Sequence, residues 1–153
     1  LEIAGKETPK SLAYLKNLCK QYGVENSVKF LGFREDIDKL MQQASIFVLS
    51  SRYEGFGLVL IEAMSQGCAC IAADYKGRQK EIFGSIDNGI AIETESSTSM
   101  TDQLQLLIND EGERLRLQKN AVQRSSFFSL DNISRKWNSL LSSLVNSNTP
   151  ASQ

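Results

Sequence analysis

Short apolar runs alternate with longer amphipathic stretches along most of the chain. The runs are rich in Ile, Val, Leu, Phe, Ala and Cys and predict β-strands. The predicted strands cover Leu1–Gly5, Val28–Gly32, Ile46–Ser50, Cys68–Ala73 and Gly89–Ile92. Runs such as Ile46–Ser50, in which apolar residues follow one another without alternation, are typical of parallel strands that are buried on both faces.

Between these runs, apolar residues recur three and four positions apart, which predicts amphipathic helices. Leu12, Leu15 and Leu18, for example, share one face of a segment that ends at Gly23. The predicted helices cover Ser11–Gly23, Glu35–Ala44, Gly57–Gly67, a short segment around Lys80–Phe83, Thr98–Asn109, Glu111–Arg124 and Leu130–Val145. The polar residues 146–153 are expected to form a frayed C-terminal tail.

This alternation predicts an α/β fold, with a parallel sheet flanked by helices and one domain over residues 1–145. In such sheets, ligands bind at the carboxyl ends of the strands, beside the first turns of the following helices. The segment Ser50–Met64 is of this kind, because it contains a strand end, a glycine-containing loop and a helix start. We therefore look for the functional site there.

The loop has the backbone properties of an anion site. Gly55 and Gly57 permit conformations that other residues avoid, and they let a ligand approach the main chain. The N–H groups of Gly57, Leu58 and Val59 have no intrahelical acceptor at the start of a helix, where the helix dipole also favours negative charge. This combination predicts a phosphate site.

Two acids flank the loop. Glu62 lies on the second helical turn, and its side chain leans toward the helix start, where it can accept hydrogen bonds from a ribose diol. Glu54 precedes the turn and can contact a sugar or stabilise a developing positive charge. From the residues alone, an alternative stays open: Glu62 belongs to the solvent face of an amphipathic helix, and Glu54 is an ordinary loop acid.

Composition narrows the function classes. The 153 residues include 41% hydrophobic and 23% charged residues, which is typical of a globular domain. The net charge of −1 provides no basic surface for nucleic acid. No segment of this sequence is long and apolar enough to predict a membrane span, and none has the pattern of a signal peptide, which says little about the parent protein. Because the chain begins with Leu1, directly in a predicted strand, we expect it to be a piece of a longer protein.

The cysteines indicate a reducing compartment. An odd number of them, Cys19, Cys68 and Cys70, argues against a disulfide framework. The pair Cys68 and Cys70 could suggest a metal site, but the chain has no histidine and no second cysteine pair. We therefore expect no metal site and interpret these thiols as buried and free.

The segment SRYEGFGLVLIEAMSQGC (51–68) closely resembles the signature of the family 4 retaining glycosyltransferases, which have the GT-B fold. The resemblance extends to VKFLGFREDIDKLMQQASIFVLSSRYEGFG (28–57) and to the segment after Cys68, and it covers residues 1–137. It implies the Rossmann-like C-terminal half of a two-domain enzyme, with the first strand of that half missing.

The resemblance also implies roles for individual residues. Glu54 would be catalytic, and Gly55, Phe56, Gly57, Leu58 and Val59 would hold the donor sugar and the phosphate. Glu62 would bind the ribose, and Phe33 and Arg34 would flank the base. Phe127, Phe128 and Trp137 lie among helices, where aromatic residues usually pack into a core. The last helix of this fold crosses toward the partner domain, so the alternative is that some of these rings are exposed once that domain is removed.

The implied reaction transfers a hexose or related sugar from a nucleoside diphosphate, most simply UDP or GDP, to an acceptor hydroxyl. It needs no cofactor, and it serves polysaccharide or glycoconjugate biosynthesis. The acceptor-binding N-terminal domain would be missing from this chain, so we expect the chain alone to be inactive. The implied location is the cytoplasm, with peripheral association of the full-length protein at the membrane face.

One motif departs from the family pattern. The turn that usually reads GG-x-P-E or GP-x-E is YKGRQKEIF here, without proline. The roles of Arg78, Lys80 and Glu81 therefore stay open, and a run of Arg, Gln and Lys is usually a solvated face. The base, the sugar and the acceptor cannot be identified from the sequence.

Two other functions stay open on the same fold. The first is a non-catalytic nucleotide-binding or interaction module, which would need Glu62 and the helix start but not Glu54. The second is a sugar-nucleotide epimerase, which we consider less favoured because the chain has no histidine to titrate.

Overall fold

A computed structural model of the chain describes residues 1–147. The chain divides into two compact units, Leu1–Leu40 and Met41–Gln153. Each unit contains a parallel sheet and helices, which is the α/β class expected from the alternation of strands and helices. Within the described residues, no helix is both long enough and apolar enough to cross a membrane.

The first unit contains two parallel strands and a helix. The strands β1 (Glu2–Ala4) and β2 (Lys29–Gly32) pair in parallel, with α1 (Pro9–Gln21) between them in sequence. Thr8 caps α1, because its side chain accepts a hydrogen bond from the Ser11 N–H while the Ser11 side chain accepts one from the Thr8 N–H. The next helix, α2 (Ile37–Gln43), begins in this unit and ends in the second one.

The second unit contains a three-stranded parallel sheet in the order β3–β4–β5. Its elements are β3 (Ile46–Leu49), α3 (Leu58–Ser65), β4 (Ala69–Ala73), α4 (Arg78–Phe83), β5 (Ile90–Ile92), α5 (Ser97–Asn109), α6 (Glu111–Ser125) and α7 (Leu130–Ser147). Leu49 pairs with Ala72, and Ala73 pairs with Ile92. The carboxyl ends of the three strands therefore lie side by side.

The core of this unit forms around β4. All five residues of β4 are buried, because strands cover both of its edges and helices cover its faces. One core cluster consists of Ala69, Ile71, Ile90, Ile92, Leu107 and Leu117, with the last two contributed by α5 and α6. This cluster fixes the sheet whose carboxyl edge carries the candidate site.

The thiols of the second unit belong to this core. Cys68 and Cys70 are free and fully buried, as expected from the sequence, whereas Cys19 of the first unit is half-buried. The Cys68 Sγ donates to the Met41 carbonyl oxygen at 3.2 Å. Burial raises the pKa of the Cys68 thiol from an ordinary 9.0 to about 11, so this thiol is protonated and unreactive near neutral pH.

The C-terminal helices differ from expectation in their burial. The aromatic side chains of Phe127 and Trp137 are 54% and 59% exposed, so the prediction that they pack into a core is wrong. Helices α5 and α6 already pack against the sheet, and these two aromatic side chains do not take part in that packing. Helix α7 continues through Ser147, so it includes the first two residues of the predicted tail, and residues 148–153 lie outside the described residues.

Candidate active site

The candidate site is the loop of residues 50–57, which joins the carboxyl end of β3 to the first turn of α3. Because β3 and β4 are parallel, the loop after β4, residues 74–77, begins at the same edge of the sheet. The two loops contact each other through several side chains. The site therefore assembles from segments that lie more than 20 residues apart along the chain.

Helix α3 begins at Gly57, which has a left-handed conformation (φ 87°, ψ 43°) and no side chain to cap the helix. Gly57 is buried, and a Cβ atom at this position would lie 3.4 Å from Cδ1 of Ile82. In the described part of the chain, the N–H groups of Gly57, Leu58 and Val59 find no hydrogen-bond acceptor. The helix therefore presents free donors and the positive end of its dipole, as predicted.

The side chains of the first helical turns leave this backbone accessible. Leu58 is 65% exposed, and Val59 is half-buried. Glu62 is exposed, and its side chain takes part in no hydrogen bond or ion pair within residues 1–147, whereas its backbone carbonyl accepts from Ser65 and Gln66. The Glu62 carboxylate is thus available to a ligand.

Glu54 is half-buried, and its carboxylate has no hydrogen-bond or ion-pair partner among the described residues. Gly55 is exposed, and Phe56 is 48% exposed. The structure thus brings the predicted site residues 54–59 and 62 into one short segment at the sheet edge. A half-buried acid without a protein partner is unusual, because burial without compensation costs free energy.

Neighbouring segments anchor this loop along its length. Arg52 forms an ion pair with Glu95, with Nε and Oε1 2.8 Å apart. The Tyr53 ring packs edge-on against Tyr75, with centroids 5.2 Å apart. At the other end of the loop, the Phe56 and Phe128 rings pack edge-on at 6.1 Å. These contacts limit the conformations available to the loop backbone.

The first residue of α4, directly after the β4 loop, is one whose role the sequence left open. Nη1 of Arg78 donates to the backbone carbonyl oxygen of Glu54 at 3.1 Å and also to that of Gly55. The next residue, Gln79, is fully buried. The interpretation of residues 78–80 as a solvated face is therefore wrong at Gln79, although Arg78 and Lys80 are exposed.

Hydrogen bonds to two buried side chains, Asp74 and Gln79, hold this second loop. The Asp74 carboxylate, which is only 7% exposed, accepts from the N–H groups of Gln79 and Lys80 at 3.0 and 3.3 Å. The Lys80 ammonium also lies 3.5 Å from it. Gln79 Oε1 accepts from the Tyr75 N–H at 3.0 Å, while its buried Nε2 has no partner among residues 1–147. The Glu81 backbone carbonyl accepts from Arg124.

The predicted base-flanking residues belong to the first unit. Phe33 is 71% exposed. Arg34 donates to both carboxylate oxygens of Asp36, at 2.8 and 2.7 Å. This pairing raises the pKa of Arg34 and lowers that of Asp36. Arg34 is therefore oriented by its own turn, and its role toward a base stays a prediction.

These features define the chemistry that the second unit can perform. Free N–H groups and a helix dipole stabilise an anion, and two unpaired carboxylates can accept hydrogen bonds from hydroxyl groups. Among the described residues, no group of three or more His, Cys, Asp or Glu could hold a metal ion. The arrangement suits a ligand that combines phosphate and sugar.

The chain is similar to curated bacterial glycosyltransferases. It is 35% identical, over 79% of its length, to the N,N′-diacetylbacillosaminyl-diphospho-undecaprenol alpha-1,3-N-acetylgalactosaminyltransferase of Campylobacter jejuni, of which it covers 31%. It is 32% identical, over 84% of its length, to the amylovoran biosynthesis glycosyltransferase AmsD of Erwinia amylovora, of which it covers 36%. The chain thus spans about a third of the length of these relatives.

Solved structures have the same fold. Anabaena Alr3699/HepE in complex with UDP matches with a TM-score of 0.82 and 30% identity, over 93% of this chain and 40% of that one. The C-terminal domain of the Francisella tularensis group 1 glycosyl transferase LpcC matches with a TM-score of 0.69 and 34% identity, over 78% of this chain and 64% of that one. The Rossmann-like fold expected for the C-terminal half of a GT-B enzyme is confirmed.

The family model described as "Glycosyl transferases group 1" matches residues 1–124, which include every predicted site residue. The matched region also contains both loops at the sheet edge, residues 50–57 and 74–77. On this evidence, the chain belongs to the group 1 glycosyl transferases.

Proposed function

We propose that this chain is the donor-binding half of a retaining glycosyltransferase. The enzyme would transfer a hexose or related sugar from a nucleoside diphosphate to an acceptor hydroxyl. The observation that carries the proposal is the loop of residues 50–57. There, unsatisfied N–H groups at the start of α3 lie between two carboxylates, Glu54 and Glu62, that have no partner among the described residues.

The start of α3 would bind the distal phosphate of the donor. As the bond between sugar and diphosphate breaks, negative charge builds up on the departing phosphate oxygens. The N–H groups of Gly57, Leu58 and Val59 are already oriented, so they can stabilise that charge without reorganising. Glycine at the helix entry keeps the approach to these donors open.

The two acids would have separate roles. Glu62 lies one turn into the helix, where its carboxylate can accept hydrogen bonds from both ribose hydroxyls of the nucleotide. Glu54 lies before the glycine turn, on the side of the donor sugar, where a carboxylate favours the positive charge that develops on the sugar ring. Phe33 and Arg34 would flank the base.

The relatives support the substrate class. Alr3699/HepE has been crystallised with UDP, so UDP is the first nucleotide to test, followed by GDP. The names of the relatives above include an undecaprenol-linked acceptor and the polysaccharide amylovoran. We therefore place the protein in polysaccharide or glycoconjugate biosynthesis, in the cytoplasm, with association at the membrane face when the acceptor is lipid-linked.

Because the relatives are about three times as long as this chain, we expect the isolated chain to bind the donor without completing transfer. The acceptor would be bound by a separate N-terminal domain of the complete protein. Activity is therefore tested in the complete natural protein, and donor binding is tested in both forms.

The deciding experiment compares Glu54→Gln with wild type in the complete natural protein. Nucleoside diphosphate release from a panel of UDP- and GDP-sugars measures turnover, and calorimetry measures nucleotide affinity. We expect turnover to fall at least about 100-fold while affinity changes little, because the Glu54 carboxylate acts on the reacting sugar. Glu25→Gln, an exposed acid in the short 3-10 turn before β2, is the matched control. Equal turnover in Glu54→Gln would contradict the proposal and favour a binding module.

A further inference from the structure

We propose that Arg78 is a positioning residue that orients the backbone N–H groups of the phosphate site. The inference rests on the proposed function, since it concerns the same loop. Arg78 follows β4 and touches the loop after β3 only through backbone carbonyl groups, those of Glu54 and Gly55. Its effect on a ligand would therefore pass through the loop backbone.

Peptide geometry links these carbonyl groups to the donors. A peptide unit is planar, and the chain has no cis peptide bonds in its described part, so each C=O and the N–H of the next residue point in opposite directions. Holding the Glu54 carbonyl toward the guanidinium directs the N–H of Gly55 away from it. Holding the Gly55 carbonyl directs the N–H of Phe56 in the same way.

The two oriented N–H groups extend the helix-start donors. Within residues 1–147, neither the Gly55 N–H nor the Phe56 N–H has an acceptor. Together with the free N–H groups of Gly57, Leu58 and Val59, they make an unbroken run of five unsatisfied donors. Backbone donors in succession form a concave anion site, but only if the flexible glycine segment is held in one conformation.

The backbone that carries Arg78 is itself held in place by its neighbours. It occupies the first position of α4, directly after Gly77, which has a left-handed φ of 79°. The buried Asp74 carboxylate holds the following N–H groups, and the buried Gln79 side chain holds the Tyr75 N–H. From this position, Nη1 of the guanidinium group, which carries two N–H groups, can hold both neighbouring carbonyl groups at once.

The test uses the complete natural protein, with Arg78→Ala, Arg78→Lys and the control Arg135→Ala. Arg135 is an exposed arginine of α7, outside the site segments, and it donates to the Asp131 carbonyl oxygen and to the Asn132 side chain of its own helix. Calorimetry measures binding of whichever of UDP, GDP and ADP wild type binds best, and of the corresponding nucleoside, which lacks phosphates. The difference between the two affinities reports the contribution of the phosphate site to binding.

We expect Arg78→Ala to bind the nucleoside diphosphate roughly tenfold more weakly while its affinity for the nucleoside stays unchanged. This is the size of effect expected when charge-assisted hydrogen bonds that fix a loop are lost. Arg78→Lys should recover part of the loss, because an ammonium group can reach one carbonyl group, and Arg135→Ala should resemble wild type. Amide NMR shifts of Gly55, Phe56 and Gly57 should change in Arg78→Ala but not in Arg135→Ala.

Equal diphosphate affinity in wild type and Arg78→Ala would overturn the inference and leave the proposed function intact. An equal loss for the nucleoside and the diphosphate would also overturn it, because it would indicate general destabilisation. If Arg78→Ala does not fold, the same comparison is made with Arg78→Lys, whose unchanged binding and unchanged amide shifts would count against the inference. If wild type binds none of the three nucleotides, the proposed function itself fails.

Discussion

At the scale of single residues, the candidate site combines two acids, Glu54 and Glu62, whose carboxylates have no partner among the described residues. Several other acids have a clear structural partner in the described residues: Asp36 pairs with Arg34, Asp74 with Lys80, Glu95 with Arg52, and Glu113 with Arg116. Glu54 and Glu62 have none, yet they lie within one short segment at the sheet edge. Acids without a role in the fold can be substituted with little cost to stability, so their variants report directly on ligand binding.

The first prediction concerns Glu62→Gln. We expect about tenfold weaker binding of the preferred nucleoside diphosphate, because an amide replaces a carboxylate as acceptor for the ribose hydroxyls and charge-assisted hydrogen bonds are the stronger kind. Thermal stability should stay close to wild type, since the side chain is exposed and makes no protein contact that its loss would break. Isothermal titration calorimetry and thermal denaturation measure the two quantities.

The matched control for Glu62→Gln is Glu25→Gln, an exposed acid in the short 3-10 turn before β2. It removes the same charge without touching the site, so its nucleotide affinity should equal that of wild type. Unchanged affinity in Glu62→Gln would assign Glu62 to the solvent face of α3 and would count against the ribose role. Replacing the ribose of the nucleotide by deoxyribose, which lacks one hydroxyl, should weaken binding more in wild type than in Glu62→Gln.

At the scale of elements, the entry of α3 determines where the phosphate donors lie. Gly57 turns the chain through a left-handed conformation, and it packs under Ile82 of α4 and Leu49 of β3. No side chain caps the helix start. The first N–H groups are therefore left for a ligand, whereas in α1 the Thr8 side chain takes one of them.

The second prediction compares Gly57→Ala with Gly55→Ala. Alanine at position 57 should lower the free energy of unfolding by about 1–2 kcal/mol, because a residue with a Cβ is strained in the left-handed region. Alanine at position 55 should cost clearly less, since that glycine has no positive φ and open space lies around its Cβ position. Urea denaturation of both variants measures the difference. Equal destabilisation would show that the entry of α3 does not depend on the conformation of Gly57.

Periodicity identified the elements well, and it located the site loop. Each predicted strand and helix occurs near its predicted position, because unbroken apolar runs mark the strands and the three- and four-residue spacing of apolar residues marks the helices. Helix α2 begins at Ile37, two residues later than predicted, since Arg34 and Asp36 form a bidentate ion pair in the preceding turn and the Asp36 carbonyl accepts the first helical hydrogen bonds.

What periodicity missed was contact between loops. Arg78 reaches carbonyl groups that lie 23 and 24 residues earlier in the chain, and neither residue spacing nor residue type indicates such a contact. The burial of Gln79 was not predicted either, because the run of Arg, Gln and Lys looks uniformly polar. These residues become informative only once two neighbouring strands bring their loops to one edge of the sheet.

At the scale of the whole molecule, burial is distributed very unevenly. Every residue of β4 is buried, with exposed fractions of 4% or less. Between Leu130 and Val145 of α7, no side chain is buried, although this segment includes Trp137 and several leucines. Sequence patterning predicted α7 as a helix but not its burial, because an amphipathic pattern reports that a face is apolar and not what covers it.

The last prediction follows from this difference in burial between β4 and α7, and it concerns amide hydrogen exchange of the isolated 153-residue chain. Exchange requires local opening, and the free energy of opening rises with the apolar surface that must be exposed. Amides of β4 should therefore exchange at least about 100-fold more slowly than those of α7. Helix α6 is the control, since it buries Leu117 and Ala121, and its amides should exchange at rates between those of β4 and α7.

If the α7 amides were protected as strongly as those of β4, α7 would be held by contacts that its exposed side chains do not show, and burial would not set local stability in this chain. If α6 exchanged as fast as α7, helical structure itself, and not burial, would explain the difference from the sheet.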